Sequence, residues 1–225
     1  PIGLIILVML KNKLIASYQL WQWSPVQSSL LKAGLKLGLP IGLQVFAEVA
    51  IFAVVSLQMA KFSSQVIAAH QSAMNFATLL YAFPVSVSMA SPIVISYEIG
   101  ANRPQAARQY AIIGRLTAIL FAGLTLTFLY FNRQMVAGWY GQNPVFIRLT
   151  ADFLVFALFF QLADAFTAPI QGILRGYKDT TVPFLLGLIS FWLLTFPIAF
   201  LLEGTTDLGP KAYWVGLIVG IFACG

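Results

Sequence analysis

Five apolar stretches, each about twenty residues or longer, dominate the chain, and most charged residues lie between them. A helix of roughly 20 apolar residues crosses the 30 Å hydrocarbon core of a bilayer. We therefore predict five transmembrane helices, at about residues 38–60, 66–97, 109–131, 150–174 and 181–202. The composition agrees, because 60% of the 225 residues are hydrophobic and only 9% are charged. Soluble domains carry roughly a quarter charged residues.

The predicted fold class is an all-α polytopic membrane protein. A membrane β-barrel would show alternating segments of about ten residues, and the apolar stretches here are about twice that length. Residues 1–10 and 211–225 are also apolar but too short to cross a bilayer. We expect them to be the end of one helix and a partial further span, so that the chain is a fragment truncated at both ends.

The distribution of lysine and arginine predicts the orientation in the membrane. If residues 11–37 are cytoplasmic, nine of the 13 basic residues fall on the cytoplasmic side, which fits the positive-inside rule. Aromatic and basic residues in the 11–37 segment favour an amphipathic linker lying on that interface. The domain prediction is thus a helix end at 1–10, a cytoplasmic linker at 11–37 and a transmembrane lobe at 38–225.

Two acidic residues, Glu48 and Asp164, lie in the middle of predicted spans. Asp164 is roughly 18 Å of helix from its nearest charged neighbours, Asp152 and Arg175. Such groups are costly in lipid and usually mark an ion or substrate pathway, although a carboxyl bonded to a neighbouring helix is the structural alternative. If the two acids meet, they can share a cation through oxygen ligands or share a proton.

Polar residues on the same helices extend this pattern. Gln44 lies one turn before Glu48, and Gln161 and Gln171 lie at helical spacing from Asp164. Gln71 and Asn75, in the second span, fit either a cavity lining or hydrogen bonds between helices. The candidate cavity or substrate contacts are Gln44, Gln71, Asn75, Phe160, Gln161 and Gln171.

Residues near the span ends receive simpler interpretations. We expect Pro40 to open the first span. Glu98 is predicted to be a solvated loop charge, and Arg175 a charge flanking the membrane. Trp214 is expected in an interfacial aromatic belt.

Several function classes find no support in the sequence. One cysteine and one histidine leave no Cys/His metal cluster and no credible catalytic triad, so we expect neither an enzyme nor a bound cofactor. No phosphate-binding glycine motif of the Walker type is present, which argues against ATP as the energy source. The basic residues flank spans instead of forming a patch, so nucleic acid is not an expected partner.

Four ordered blocks resemble the multidrug and toxic compound extrusion (MATE) family, and within it the NorM-like branch. The most specific is ADAFTAPIQGILRGYKDT at residues 163–180, which contains Asp164. The other three are GLPIGLQVFAEVAIF at 38–52, IAAHQSAMNF at 67–76 and YEIGANRPQAAR at 97–108.

The resemblance implies the C-terminal six-helix lobe of a twelve-helix transporter in the bacterial plasma (inner) membrane. The partners would be membrane lipid, small organic cations and the missing N-terminal lobe of the same polypeptide. It also implies that Glu48 and Asp164 bind the coupling ion, as ligands of Na⁺ if the protein is sodium-coupled. Some members have a tyrosine where this chain has Phe160, which leaves Na⁺ and H⁺ both open.

The function implied is secondary-active multidrug efflux, by antiport of organic, often cationic compounds against Na⁺ or H⁺. The alternative is a flippase for lipids or lipid-linked precursors from the same superfamily, which would need a basic cavity for phosphates. A membrane scaffold without transport activity is a third possibility. It would not explain why the chain carries two acids at mid-depth, where each costs free energy in lipid.

Overall fold

The computed structural model describes residue 25 and residues 27–225, and the described residues form helices joined by short loops. Within this described part of the chain, five helices are long and apolar enough to cross a membrane. These are α1 (Ser28–Met59), α2 (Ser64–Gly100), α3 (Pro104–Gly138), α4 (Pro144–Gly176) and α5 (Thr181–Thr205). The shorter apolar helix α6 (Lys211–Cys224) follows, and the six helices agree with the predicted all-α membrane fold.

The helices are longer than the apolar stretches that predicted them, because polar turns continue them at their ends. α1 begins at Ser28, so Pro40 lies inside a helix and the prediction that it opens one is wrong. Residues 28–36 of the predicted linker are helical, whereas its earlier part and the predicted helix end at 1–10 lie outside the described residues. Contacts divide the chain into two units between Lys36 and Leu37.

Glycines allow α2 and α4 to approach closely. A Cβ atom on Gly172 would collide with the backbone of Ser88, and one on Gly176 would lie 2.8 Å from the Cβ of Ile95. Small residues four positions apart commonly let membrane helices pack backbone against backbone. This packing sets the side chains of α4 directly against those of α2.

A second close contact joins α5 and α6. Residues Ile189–Leu194 of α5 form a π-helical segment just before Pro197, which lacks the N–H needed to continue the regular hydrogen bonds. Gly216 and Gly220 of α6 pack against this region, where a Cβ on Gly216 would lie 2.5 Å from the carbonyl oxygen of Thr195.

The hydrophobic core includes side chains from all six helices, and Trp214 is its largest fully buried residue. Its indole Nε1 donates a hydrogen bond to Nδ1 of His70 at 3.1 Å. The prediction that Trp214 belongs to an interfacial belt is therefore wrong, because the ring faces neighbouring helices. Large apolar side chains cover much of the outer surface, as expected where lipid replaces water; Phe131, for example, is 76% exposed.

Polar contacts fix the end of α1 to α5 and α6. In the loop after α1, Lys61 Nζ lies 3.7 Å from Glu203 Oε2, near the end of α5. Tyr213 of α6 donates a hydrogen bond to the same oxygen at 2.6 Å. In the second half of α1, the side chains of Ile51, Val55 and Met59 are buried in the hydrophobic core. This end of α1 is thus held by both charge and packing.

Candidate functional site

A cavity of about 480 Å³ lies among α1, α2 and α4, within the unit Leu37–Gly225. Its lining is mostly apolar, with charged and hydrogen-bonding groups at a few points. We call it the acidic cavity after its two carboxyl groups. It is lined by Val45, Glu48, Val49, Phe52, Met74, Ala77, Thr78, Tyr81, Val85, Ser88, Met89, Phe160, Asp164, Gln171 and Arg175.

Both mid-span acids face this one cavity. Glu48 is half-buried on α1, and Asp164 is only 6% exposed on α4. On α4, Phe160, Asp164, Gln171 and Arg175 share a face because they are four, seven and four residues apart. The close packing of α2 on α4 turns that face inward. The two carboxyl groups therefore belong to one site.

Tyr81 of α2 is the cavity residue in hydrogen-bonding contact with an acid. Its hydroxyl donates to Glu48 Oε1 at 3.4 Å, a long hydrogen bond. Tyr81 is not among the site residues predicted from the sequence. A hydroxyl in the middle of an apolar span, on the same helical face as Ala77 and Val85, was the available signal.

Arg175 also lines the acidic cavity, which corrects the prediction that it merely flanks the membrane. It is half-buried in the last turn of α4, and its Nη2 donates to Gln44 Oε1 at 3.2 Å. Gln44 is 1% exposed and lies one turn before Glu48. The cavity thus contains a permanent positive charge at one end in addition to its two acids.

The structure brings only some of the other predicted contacts to the cavity. Phe160 and Gln171 line the cavity. Gln44 does not line it but accepts a hydrogen bond from Arg175, which does. Gln161 is buried but is not among the lining residues, and its Nε2 donates to the carbonyl oxygen of Leu80 at 3.1 Å.

Gln71 and Asn75 are exposed and do not line the acidic cavity. The Asn75 side-chain oxygen instead accepts a hydrogen bond from Tyr140 at 2.9 Å. Both amides lie nearer the start of α2 than Tyr81 does.

Glu98 departs from its predicted role as a solvated loop charge. It is 8% exposed and forms an ion pair with Arg103, with 2.8 Å between Arg103 Nε and Glu98 Oε2. This pair joins the end of α2 to the start of α3. It lies outside the acidic cavity, so Glu98 adds no third acid to the site.

The chemistry available in the acidic cavity is that of two carboxyl groups, a phenol and a guanidinium in apolar surroundings. Among the described residues, no group of three or more His, Cys, Asp or Glu could hold a metal ion. A hard cation bound by Glu48 and Asp164 would therefore need further oxygen ligands, such as the Tyr81 hydroxyl or water. Phe52 and Phe160 meet edge to face, with 5.8 Å between ring centroids, and offer aromatic surface for an organic cation.

Comparison with solved structures identifies the fold. A eukaryotic MATE transporter, AtDTX14, superimposes with a TM-score of 0.87 over 99% of this chain and 50% of its own, at 16% sequence identity. A MATE transporter in the straight conformation gives a TM-score of 0.84 at 16% identity, over 99% of this chain and 50% of its own. The described helices thus correspond to about half of a MATE transporter.

Sequence comparison gives closer relatives. A probable multidrug resistance protein NorM from Streptococcus pneumoniae R6 is 53% identical over all of this chain and 49% of its own length. One from Bacillus subtilis 168 is 49% identical over 84% of this chain and 42% of its own. The chain spans about half the length of the curated relatives it matches. The sequence profile of the MatE family matches residues 40–201, and the chain therefore belongs to the MATE family, in its NorM-like branch.

Proposed function

We propose that this chain forms the C-terminal lobe of a multidrug efflux antiporter, which exports organic, often cationic compounds in exchange for Na⁺ or H⁺. The observation that carries the proposal is that Glu48 and Asp164 line one mostly apolar cavity. A carboxyl pair at this depth is suited to a cation that enters, binds and leaves. The names of the S. pneumoniae and B. subtilis relatives support multidrug transport.

The proposed mechanism links ion binding to substrate affinity in a bacterial plasma membrane. An inward ion gradient loads Glu48 and Asp164 and neutralises their charge. This weakens the hold of the two-lobed protein on a cationic substrate, which leaves on the outer side. Linkage then requires the substrate to weaken ion binding by the same factor.

The first test replaces each acid by its amide in the full-length protein that contains this chain. Glu48→Gln and Asp164→Asn keep the size of each side chain and one acceptor oxygen but remove the charge. We expect ethidium efflux from cells to fall at least about tenfold, within the usual range of coupling strengths. Asp207→Asn is the matched control, because Asp207 is exposed and lies outside the cavity.

Unchanged efflux in both acid variants, at equal amounts of protein in the membrane, would refute the proposed role of the pair. The coupling ion is then identified by replacing Na⁺ with choline at fixed pH. A sodium-coupled protein loses efflux in choline, whereas a proton-coupled protein keeps it and responds to the pH gradient.

A flippase for lipids or lipid-linked precursors is the second candidate, and Arg175 is the observation that favours it. A guanidinium in the cavity offers a planar fork of donors for a phosphate group. Two acids in the same cavity oppose a phosphate, which is why we place this function second. Arg175→Gln separates the two, since it abolishes flipping of a fluorescent phospholipid in proteoliposomes if the flippase assignment holds, while ethidium efflux continues if it does not.

A further inference from the structure

A second groove lies between α3 and α4, on a different side of α4 from the acidic cavity. It has a volume of about 290 Å³ and includes two arginines of α3, Arg108 and Arg115, at one wall. Ile170, Ile173 and Tyr177 of α4 form the other wall. We call it the arginine groove; the transport mechanism proposed above does not use it.

The two arginines are available to bind a ligand. Arg108 and Arg115 are exposed, and among the described residues neither takes part in an ion pair. They are seven residues apart, so they lie on the same face of α3 about 10 Å apart along the helix axis. No acidic residue lines the groove. The site thus presents two uncompensated positive charges on one wall.

Part of the groove lies near the ends of α3 and α4, where membrane-spanning helices meet the lipid headgroups. α3 has 35 residues and is therefore about 52 Å long, well beyond the 30 Å of hydrocarbon. Arg108 is in the second turn of α3, and Tyr177 directly follows the end of α4. The orientation predicted from the basic residues places this end at the cytoplasmic face, where anionic lipids attract arginine and lysine.

The remaining surface of the groove is apolar. Ile112 of α3 and Ile170 and Ile173 of α4 lie beside the two guanidinium groups. A ligand that fills the groove therefore needs an anionic head next to a hydrocarbon chain. Arginine binds phosphate oxygens through paired donors, which a zwitterionic headgroup satisfies less well because its own cation competes. We propose that the arginine groove binds an anionic phospholipid, with its phosphate at Arg108 and Arg115 and an acyl chain on the isoleucines.

A groove at the opposite end of the same two helices provides a natural comparison. It has a similar volume, about 300 Å³, and also contains two arginines, Arg133 and Arg148. Its lining also includes Gln134 and Asp152, whose Oδ2 pairs with Lys211 Nζ at 2.8 Å, so polar and charged groups take the place of most of the isoleucines of the arginine groove. The two grooves share helices and arginine number but differ in predicted lipid preference.

The test measures lipid bound to the purified full-length protein by native mass spectrometry. The protein is offered phosphatidylglycerol and phosphatidylcholine with identical acyl chains. We expect wild type to retain phosphatidylglycerol preferentially. We expect Arg108→Gln/Arg115→Gln to reduce that preference at least about tenfold, given the usual attraction of each arginine to anionic lipid. The double variant Arg133→Gln/Arg148→Gln removes the same charge and should keep the preference.

Arg108→Lys/Arg115→Lys keeps the charge without the guanidinium fork, and we expect it to lose only part of the preference. This lysine variant also tests the site if Arg108→Gln/Arg115→Gln is poorly folded. Equal loss in both glutamine double variants, or no loss in either, would overturn the proposal. Displacement of the lipid by millimolar inorganic phosphate would overturn it too, since it would indicate a site for free phosphate. Ethidium efflux is measured separately, so failure of the lipid site leaves the proposed transport function untouched.

Discussion

The guanidinium of Arg175 in α4 donates a hydrogen bond to the side-chain oxygen of Gln44 in α1, at 3.2 Å. Gln44 lies one helical turn before Glu48, so the contact brings a permanent positive charge to the helix that carries one of the two acids. Arg175 lines the same cavity as Glu48 and Asp164. Any cation that enters the cavity must therefore compete with the guanidinium of Arg175 for the two acids.

The first prediction follows from that competition. In Arg175→Gln, the two acids lose their fixed positive neighbour, so a coupling cation should bind more tightly. We expect the cation concentration for half-maximal ethidium efflux to fall roughly five- to thirty-fold, as for about 1–2 kcal/mol of charge interaction. Arg175→Lys keeps the charge and should stay close to wild type. A half-maximal concentration that is the same in all three proteins would contradict the competition.

The second prediction concerns the hydroxyl of Tyr81, which donates to Glu48 at 3.4 Å. Tyr81→Phe removes the phenolic oxygen nearest the acid pair and leaves the ring in place. We expect the cation concentration for half-maximal efflux to rise about three- to tenfold, which corresponds to the loss of about 0.7–1.4 kcal/mol from one ordinary hydrogen bond. Tyr130→Phe is the control, because Tyr130 is 60% exposed on α3 and does not line the cavity. Equal values in the two variants would exclude Tyr81 from ion binding.

The third prediction tests the close approach of α2 and α4. Gly172→Ala places a methyl group against the Ser88 backbone, and overpacking of this kind costs about 1–3 kcal/mol. We expect a lower melting temperature for the purified full-length protein in detergent. Gly123→Ala is matched to it, since no atom lies within 4 Å of the added methyl and alanine favours a helix. If Gly172→Ala melts no lower than Gly123→Ala, the helices are not packed as closely as described.

The length of the apolar stretches was sufficient to predict the helices, because a membrane span requires about twenty such residues. Glu48 and Asp164 were identifiable for a related reason: a charge inside an apolar stretch stands out in sequence. Helix ends were less predictable, because polar turns outside the hydrocarbon continue α1 back to Ser28 without any apolar signal.

Arg175 and Trp214 show what the sequence could not resolve. An arginine at the end of an apolar stretch has the same pattern whether it points to water or back into a cavity. A tryptophan near a helix start has the same pattern in an aromatic belt and in a core. The contact with Gln44 decides the first case, and the hydrogen bond to His70 decides the second. Both depend on which helices are neighbours, which no single span reveals.

The fourth prediction concerns the choice between Na⁺ and H⁺. Phe160 lies one turn before Asp164, lines the cavity and is 4% exposed. Phe160→Tyr adds an oxygen where some family members carry one, and Na⁺ prefers oxygen ligands whereas a proton needs only a carboxyl group.

We therefore expect Phe160→Tyr to increase the dependence of ethidium efflux on Na⁺, with half-maximal efflux at about three- to tenfold lower Na⁺ if one ligand is gained. The experiment compares Na⁺ with choline at fixed pH. Phe159→Tyr places the same hydroxyl on the adjacent residue, which is 54% exposed and outside the cavity, and should leave the Na⁺ dependence unchanged. An identical response in the two variants would mean that the residue at position 160, one turn before Asp164, does not select the ion. Coupling would then be set by the carboxyl pair and its neighbours Tyr81 and Arg175.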